Sequence, residues 1–534
     1  MILDKDEYIE KINSILSDQS KFKRISRNPT EKLKQKANKL IETLNAGQDS
    51  LKLPKIIGDF RPGYVYGNIK THKENNPLRP IISQIPTPTY NLAKQVNHII
   101  SPYIPSQYSL KSSNDFIDLL QEHENEGIIA SLDVESLFTN VPIDPTIEII
   151  LEHVYNHPNI PPPKIPKVIL KQFLELCTKE APFKCPQGKL YLQIEGVAMG
   201  SPLGPTFANY YMGNLENHIF ENSDRKPHIY GRYMDDIFVQ VKDEEELIGL
   251  KNLFQENSTL NFTYELNVNS KLPFLDVLVD SSFQNFRTSV YHKPTDQGNC
   301  LNGESECTER YKTSVITNYM NRAYKLSNSW EEFHLEILQI KQRLVNNNYT
   351  NTIEDKYVKK FLDKKLTQEP QIHKKEIIPI YYENQSHANC KIDERIIKNI
   401  VYSNTKSKLE DKKLELRIYY KNTKTCNLVM KNNLTPPPSL LDESNVIYKF
   451  SCPLSHRQAT EYVGFTQTTL SQRLVAHRQN GSIHNHFKEF HNSKPSREHL
   501  TENTKIIAKA RDRTRLAIKE ALIILEEKPI INKQ

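Results

Sequence analysis

Residues 230–239 read YGRYMDDIFV. Two adjacent carboxylates, Asp235 and Asp236, sit between Tyr230–Met234 and the apolar run Ile237–Val239. Apolar residues on both sides of a polar pair predict two strands joined by a tight turn, with the acids at its tip. Any fold that takes up this hairpin has to deal with those acids. Two neighbouring anions in an apolar hairpin cost several kcal/mol unless a cation neutralises them. A hard divalent ion, Mg²⁺, accepts carboxylate oxygens together with substrate phosphates. On the dipeptide alone, a solvated Asp-Asp turn explains the pair equally well.

A second carboxylate shifts that balance. Residues 131–143 read SLDVESLFTNVPI, and Asp133 follows the buried-strand pattern IIASL. A strand carrying Asp133 beside a hairpin carrying Asp235 would group carboxylates around two metal ions about 3.5–4 Å apart. Such a pair activates an attacking hydroxyl and steadies the leaving oxygen of a phosphoryl transfer. Glu135, two residues on, shares the strand face and reads as a solvated rim acid. Taken alone, Asp133 also suits a helix N-cap or a turn. Between the acid motifs lies GVAMGSPLGPTFANYYM, residues 196–212, dense in small residues and then helical from Pro205. Small residues let backbone approach a ligand closely, and this surface suits a nucleotide or base pair.

The order LDVESLFTNVP, GVAMGSPLGPTFAN, YMDD and LPFLDVLV (272–279) resembles the palm of a reverse transcriptase. GYVYGNIKTHKENNPLRPIIS, residues 63–83, is similar to the fingers of the same enzymes, and VYHKPTDQGNCLN, 290–302, fits too. The resemblance is to the polymerases of Penelope-like retroelements, which are similar to telomerase reverse transcriptase, and it covers about residues 50–365. It implies that Asp133 and Asp235 ligate two metals, Mg²⁺ or Mn²⁺, with Asp236 assisting. It implies that Lys70, Lys73 and Arg79 contact triphosphate or template, where the plain alternative is a solvated basic loop. Ala198, Met199, Gly200, Ser201 and Pro202 would lie near the nascent base pair. Phe138 would exclude a ribonucleotide 2′-hydroxyl. Thr263, Lys271 and Asp276 fall in later palm motifs without an assigned role.

A second constellation closes the chain. NVIYKF (445–450) and EYVGFT (461–466) are strand-type runs that suggest a hairpin. In the helical stretch that follows, Arg473 and His477 stand four apart on one face. TRLAIKEALIILEEKPIIN carries Glu520, with Ala517, Ala521, Leu522 and Leu525 expected inward, and Asn532 beyond Pro529. Tyrosines, Arg, His, Glu and Asn suit phosphodiester cleavage: a tyrosine helps deprotonate water, Arg473 neutralises the phosphorane and Glu520 holds one Mg²⁺. Separately, tyrosines in strands are usually packing, and an Arg/His pair four apart is usually a solvated face.

In order, the set resembles the GIY-YIG nucleases, with Val446-Ile447-Tyr448 and Tyr462-Val463-Gly464 as the two triplets. The resemblance implies that Tyr448, Tyr462, Arg473, His477, Glu520 and Asn532 are the active residues. Family members often carry a Cys/His insertion between the triplets. Here Cys452 and His456 are candidate zinc ligands, completed by His484, His486 or His491, against the alternative of a free thiol and surface histidines.

Composition agrees with a nucleic-acid enzyme without requiring one. The net charge is +7 and the pI about 8.7, a modest basic excess that suits phosphate backbones. Seven scattered cysteines point to a reducing compartment, the N-terminus is not a secretory signal, and no apolar run approaches the ~20 residues of a membrane span. The expected architecture is α+β and multidomain: a right-hand polymerase of fingers, palm and thumb, then a small α/β GIY-YIG domain. The segments are 1–49 (helical), 50–300 (fingers and palm), 301–366 (helical thumb), 367–441 (connector ending in the stiff TPPPSL) and 442–534 (nuclease). The chain opens almost directly into the fingers, so an N-terminal region common in such elements is expected to be missing. The expected activity is target-primed reverse transcription in the nucleus, with an RNA template, a DNA target that serves as primer, and dNTPs. The competing expectation is a decayed or domesticated copy that binds nucleic acid without catalysis.

Overall fold

The computed structural model describes residues 3–70, 75–222, 226–307, 309–366, 376–385, 389–405, 412–421, 440–454, 460–510 and 512–532. Lys73, His456 and most of the proline spacer lie outside them. The chain forms two compact units. One comprises Met1–Tyr103, Pro142–Phe207 and Asn432–Gln534; the other comprises Ile104–Val141 and Ala208–Lys431.

The second unit is built on a four-stranded antiparallel sheet. Its strands run in the order Ile229–Tyr233, Asp236–Val241, Ile128–Val134, Phe262–Leu266. Side chains alternate between faces. Ala130, Leu132, Ile237 and Val239 take one face and pack with Ala208, Met212, Leu215 and Ile219 of the helix Gly204–Asn222. Those four helix residues recur at three- and four-residue spacing, which makes a single apolar stripe. Ile129 and Phe238 take the other face, against Phe116 of the helix Ser113–Gln121 and Phe274 of a small three-stranded sheet. Three helices follow, Glu309–Leu326, Trp330–Asn346 and Asn351–Leu366. Ile316, Met320, Phe333, Ile337 and Ile340 form their core. Ser329 caps the second of these by accepting from the Glu332 N–H.

The segment read as a connector has structure of its own. Strands Glu376–Gln385 and Lys412–Lys421 pair in parallel, and the helix Cys390–Asn404 links them. This βαβ unit lacked a sequence signal because Pro379 interrupts the first strand pattern.

The first unit contains a five-stranded sheet in the order Phe22–Ile25, Leu190–Gln193, Pro182–Lys184, Gly63–Ile69, Leu78–Ser83. The N-terminal segment is therefore two helices, Lys5–Leu16 and Thr30–Ala46, around a strand that joins this sheet. The C-terminal part of the unit has a three-stranded antiparallel sheet with Val446–Ser451 central, between Glu461–Thr466 and Thr504–Lys509. On its closing helix Arg513–Glu527, Leu516 is buried, with Ile523 and Ile524 packed alongside, whereas Ala521, Leu522 and Leu525 are exposed. The expected inward set is corrected accordingly. The helix is apolar on more than one face, so periodicity left its rotation undetermined.

Candidate active sites

Asp133 is the penultimate residue of its strand, and its register partner across the sheet is Asp236. Cross-strand partners share a face with Cβ atoms about 4.5–5.5 Å apart. Asp235 occupies the turn of the hairpin, whose preceding residue Met234 has φ +58°. The Asp235 carbonyl accepts from the Val134 N–H at 3.1 Å, which ties the turn to the strand of Asp133. Three carboxylates from two distant stretches thus converge at one end of the sheet. Asp236 keeps contact with solvent, yet its carboxyl is pushed up to about 6. Withdrawal from water is the main cause, followed by the negative charges of Asp235 and Asp133; Lys293 acts the other way. A carboxylate held against its neighbours' charge in this way suits a divalent cation. The all-oxygen donor set fits Mg²⁺ or Mn²⁺.

Lys293 stands in VYHKPTDQGNCLN, where no role is expected of it from sequence. It lies in a loop clamped on both sides: His292 Nε2 is 2.8 Å from Glu336 Oε2, and Arg343 donates to Asp296 at 2.7 Å. Thr263 pairs in register with Asp133. Lys271 is 3.6 Å from Asp280 and Arg322 donates to Asp276 at 3.2 Å, so both of these palm residues have partners in structural ion pairs. Phe138 is half-buried and packs on the core beneath the sheet. Glu135 is exposed, and its N–H donates to the Asn261 carbonyl.

In the other unit, Arg79 is exposed on the strand Leu78–Ser83 and Lys70 follows its partner strand; the Lys70 N–H donates to the Pro77 carbonyl. The same hairpin lies against the small-residue segment. The Ile82 N–H donates to the Met199 carbonyl at 2.9 Å. Gly200 has φ +129°, and a Cβ there would come within 2.5 Å of the Ile82 carbonyl oxygen. Ser201 is buried and Pro202 half-buried. Lys70, Arg79 and Met199–Pro202 therefore belong to one substructure.

The C-terminal set also converges. Tyr448 is fully buried on the central strand; its hydroxyl lies 2.7 Å from His477 Nε2 and accepts from Arg473 Nε at 3.0 Å. Tyr448 and Gly464 are register partners. A Cβ on Gly464 would sit 2.9 Å from the hydroxyls of both Tyr448 and Tyr462, so glycine leaves the space in which they meet. Burial pushes the Tyr448 hydroxyl up and holds His477 down, to about 4, with Arg473 adding to the latter. Glu520 Oε1 accepts from the Phe465 N–H at 3.0 Å, and its carboxyl is raised mainly by burial. Asn532 braces the second triplet, accepting from the Val463 N–H at 2.7 Å and donating to its carbonyl at 2.6 Å.

Cys452, His486 and His491 gather next to this cluster, with ligand atoms within 4.8 Å of one another. Cys452 Sγ and His486 Nε2 each lie 3.3 Å from His491 Nε2. One sulfur and two imidazoles at this separation suit tetrahedral zinc. His484 instead turns its Nδ1 to the Arg478 carbonyl.

Residues 71–271 match the family described as reverse transcriptase (RNA-dependent DNA polymerase). Residues 299–359 match the animal helix-turn-helix domain. These matches describe a reverse transcriptase domain followed by an animal helix-turn-helix domain, and the second falls on the segment expected to be the helical thumb. No curated protein matches the chain. Similar solved structures include the telomerase of Candida albicans in complex with a fragment of telomeric RNA, at 11% identity and TM-score 0.41, covering 61% of this chain and 62% of that one. The apo telomerase of Candida tropicalis, truncated from its C-terminal domain, matches at 12% identity and TM-score 0.34, covering 48% and 60%. The Sicinivirus 3Dpol RNA-dependent RNA polymerase matches at 10% identity and TM-score 0.39, covering 68% and 90%. The chain thus spans about 60% of the length of these two telomerases. Among the described residues, no helix is long and apolar enough to cross a membrane.

Proposed function

We propose that this is a Penelope-like retroelement protein, in which an RNA-directed DNA polymerase is joined to a GIY-YIG endonuclease. The reading is carried by one observation: Asp133, Asp235 and Asp236 converge at the end of a sheet within the stretch that matches the reverse transcriptase family. Asp133 and Asp235, helped by Asp236, would hold divalent ions, Mg²⁺ or Mn²⁺, which when bound would supply positive charge to the attacking 3′-hydroxyl and the departing pyrophosphate. Lys70, Lys73 and Arg79 offer positive charge to the triphosphate or template. Met199, Gly200, Ser201 and Pro202 present a flat backbone to the nascent pair, and Phe138 disfavours a 2′-hydroxyl. Residues 301–366 serve as thumb on the primer–template duplex, 367–441 as connector, and 442–534 as nuclease.

In the nuclease, Tyr448 and Tyr462 line the site of water activation, where one tyrosine helps deprotonate water, and His477, neutral at physiological pH, orients the Tyr448 hydroxyl through their hydrogen bond. Arg473 meets the charge that builds on phosphorus, Glu520 supplies a carboxylate for one Mg²⁺, and Asn532 fixes the strand that carries Tyr462. Zinc bound by Cys452, His486 and His491, with His456 as a further ligand, would brace this domain. Nicking of DNA exposes a 3′-hydroxyl that the polymerase extends on RNA, which puts the reaction in the nucleus. A decayed copy acting as a binding protein would have no chemical reason to keep both sets intact. The deciding experiment is dNTP incorporation on an RNA template primed by a nicked plasmid, with Mg²⁺ or Mn²⁺. Incorporation that depends on the metal supports the reading; a folded protein that incorporates nothing with either metal sinks it.

A further inference from the structure

The strand leading into the acid hairpin carries an arginine to which the polymerase reading gives no work. Arg232 is 0% exposed, and its partner Glu216 is 1% exposed. The pair is two-pronged: Nε donates to Glu216 Oε1 at 2.5 Å and Nη2 to Oε2 at 3.2 Å. The Tyr230 hydroxyl donates to Glu216 Oε1 at 2.8 Å. The third nitrogen, Nη1, reaches Asn209 Oδ1 at 2.9 Å and the Met234 carbonyl at 3.2 Å. Asn209 and Glu216 are seven residues apart on the helix Gly204–Asn222 and so share a face. The Arg232 main chain is pinned as well, with its N–H on the Tyr108 carbonyl and its carbonyl accepting from the Leu110 N–H.

Burying an ion pair rarely adds stability over an apolar pair of the same volume. Its value has to lie elsewhere, and Met234 shows where. That residue holds φ +58° at the hairpin turn, a left-handed conformation that side-chain-bearing residues adopt only at a cost. The next two residues are the acids. We propose that Arg232 is a positioning residue: its guanidinium, oriented by Glu216 and Asn209, fixes the Met234 carbonyl and so aims Asp235 and Asp236 at their cations. This rests on the polymerase reading above.

Two variants test it. Arg232→Lys keeps the charge facing Glu216 but loses the planar fork that reaches Met234. The triple variant Arg232→Met, Glu216→Met, Tyr230→Phe replaces the network with apolar volume and leaves no buried charge. Both are checked for folding by circular dichroism. The expected result, in folded protein, is primer extension lower by about 10²-fold, as for a small misplacement of catalytic groups. The Mg²⁺ concentration at half-maximal rate rises, and the KM for dNTP is unchanged. A purely structural role would lower the melting temperature and leave the rate per folded molecule and the Mg²⁺ requirement alone. A folded variant with normal extension and normal Mg²⁺ dependence overturns the proposal. A wild type that extends no primer sinks the polymerase reading instead. Positioning is then judged by Mn²⁺ binding, followed by electron paramagnetic resonance: variants that bind Mn²⁺ as tightly as wild type overturn it, and a wild type that binds none overturns both.

Discussion

The acid end of the four-stranded sheet and the tyrosine cluster of the C-terminal sheet solve opposite problems. At the first, like charges are brought together, and the Asp236 carboxyl is pushed up to about 6 as partial withdrawal from water and the charges of its neighbours oppose its ionisation. At the second, polar groups satisfy one another: Tyr448 is shared by His477 and Arg473, while Glu520 and Asn532 hold backbone groups of the neighbouring strand. Charge that is left over calls for a partner from outside, a metal ion and a nucleotide. Polar groups that are already matched give a preset pocket, to which Glu520 adds one carboxylate for an ion. The two sites should therefore fail independently when their own residues are changed.

The strongest break is expected at the acids. Asp235→Asn should lower primer extension on RNA by roughly 10³-fold or more and leave DNA nicking unchanged. Extension that survives this substitution would remove the metal assignment. In the other direction, Glu520→Ala should abolish nicking of supercoiled plasmid and spare extension. Arg473→Ala should reduce nicking by roughly 10²–10³-fold, the scale for losing one group that stabilises charge in the transition state. If either nuclease change also lowers extension, the idea of two self-contained sites is wrong.

What was legible in the sequence tracks how local each site is. The hairpin and its acids could be read because apolar runs flank them on both sides. The tyrosines, Arg473, His477 and Glu520 could be read because their order along the chain is distinctive. Register is not local, so the pairing of Asp133 with Asp236 had to come from the sheet. Arg232 was invisible for the same reason: nothing near it says that Glu216, sixteen residues earlier, turns into the same core. Zinc candidates were narrowed by folding alone, since Cys452, His486 and His491 meet only once the helix Ser482–His491 packs by the hairpin. A middling effect checks that trio. Cys452→Ser should lower the melting temperature of the zinc-loaded protein and remove bound zinc measured by mass spectrometry; full zinc content in the variant would discard the site.

The smallest effects separate the two regions most sharply, through the sign of their pH dependence. Asp236 has its folded-state pKa raised, from 3.8 to about 6. Its folded state holds the proton more tightly, so its contribution is present below pH 3.8 and is lost as pH rises through 6. His477 is shifted down, from 6.5 to about 4. Its contribution is present above pH 6.5 and is lost as pH falls toward 4. Between pH 4 and 6 the two sites therefore tilt stability in opposite directions. In EDTA, Asp236→Asn should raise the melting temperature at pH 7 and remove the first slope, whereas His477→Gln should flatten the second. Adding Mg²⁺ should reverse the advantage of Asp236→Asn, because wild type then regains stability by binding the ion. Melting curves from pH 4 to 7, with and without Mg²⁺, decide it: if Asp236→Asn does not stabilise the metal-free protein, the acids are not in conflict and the contrast between the regions fails.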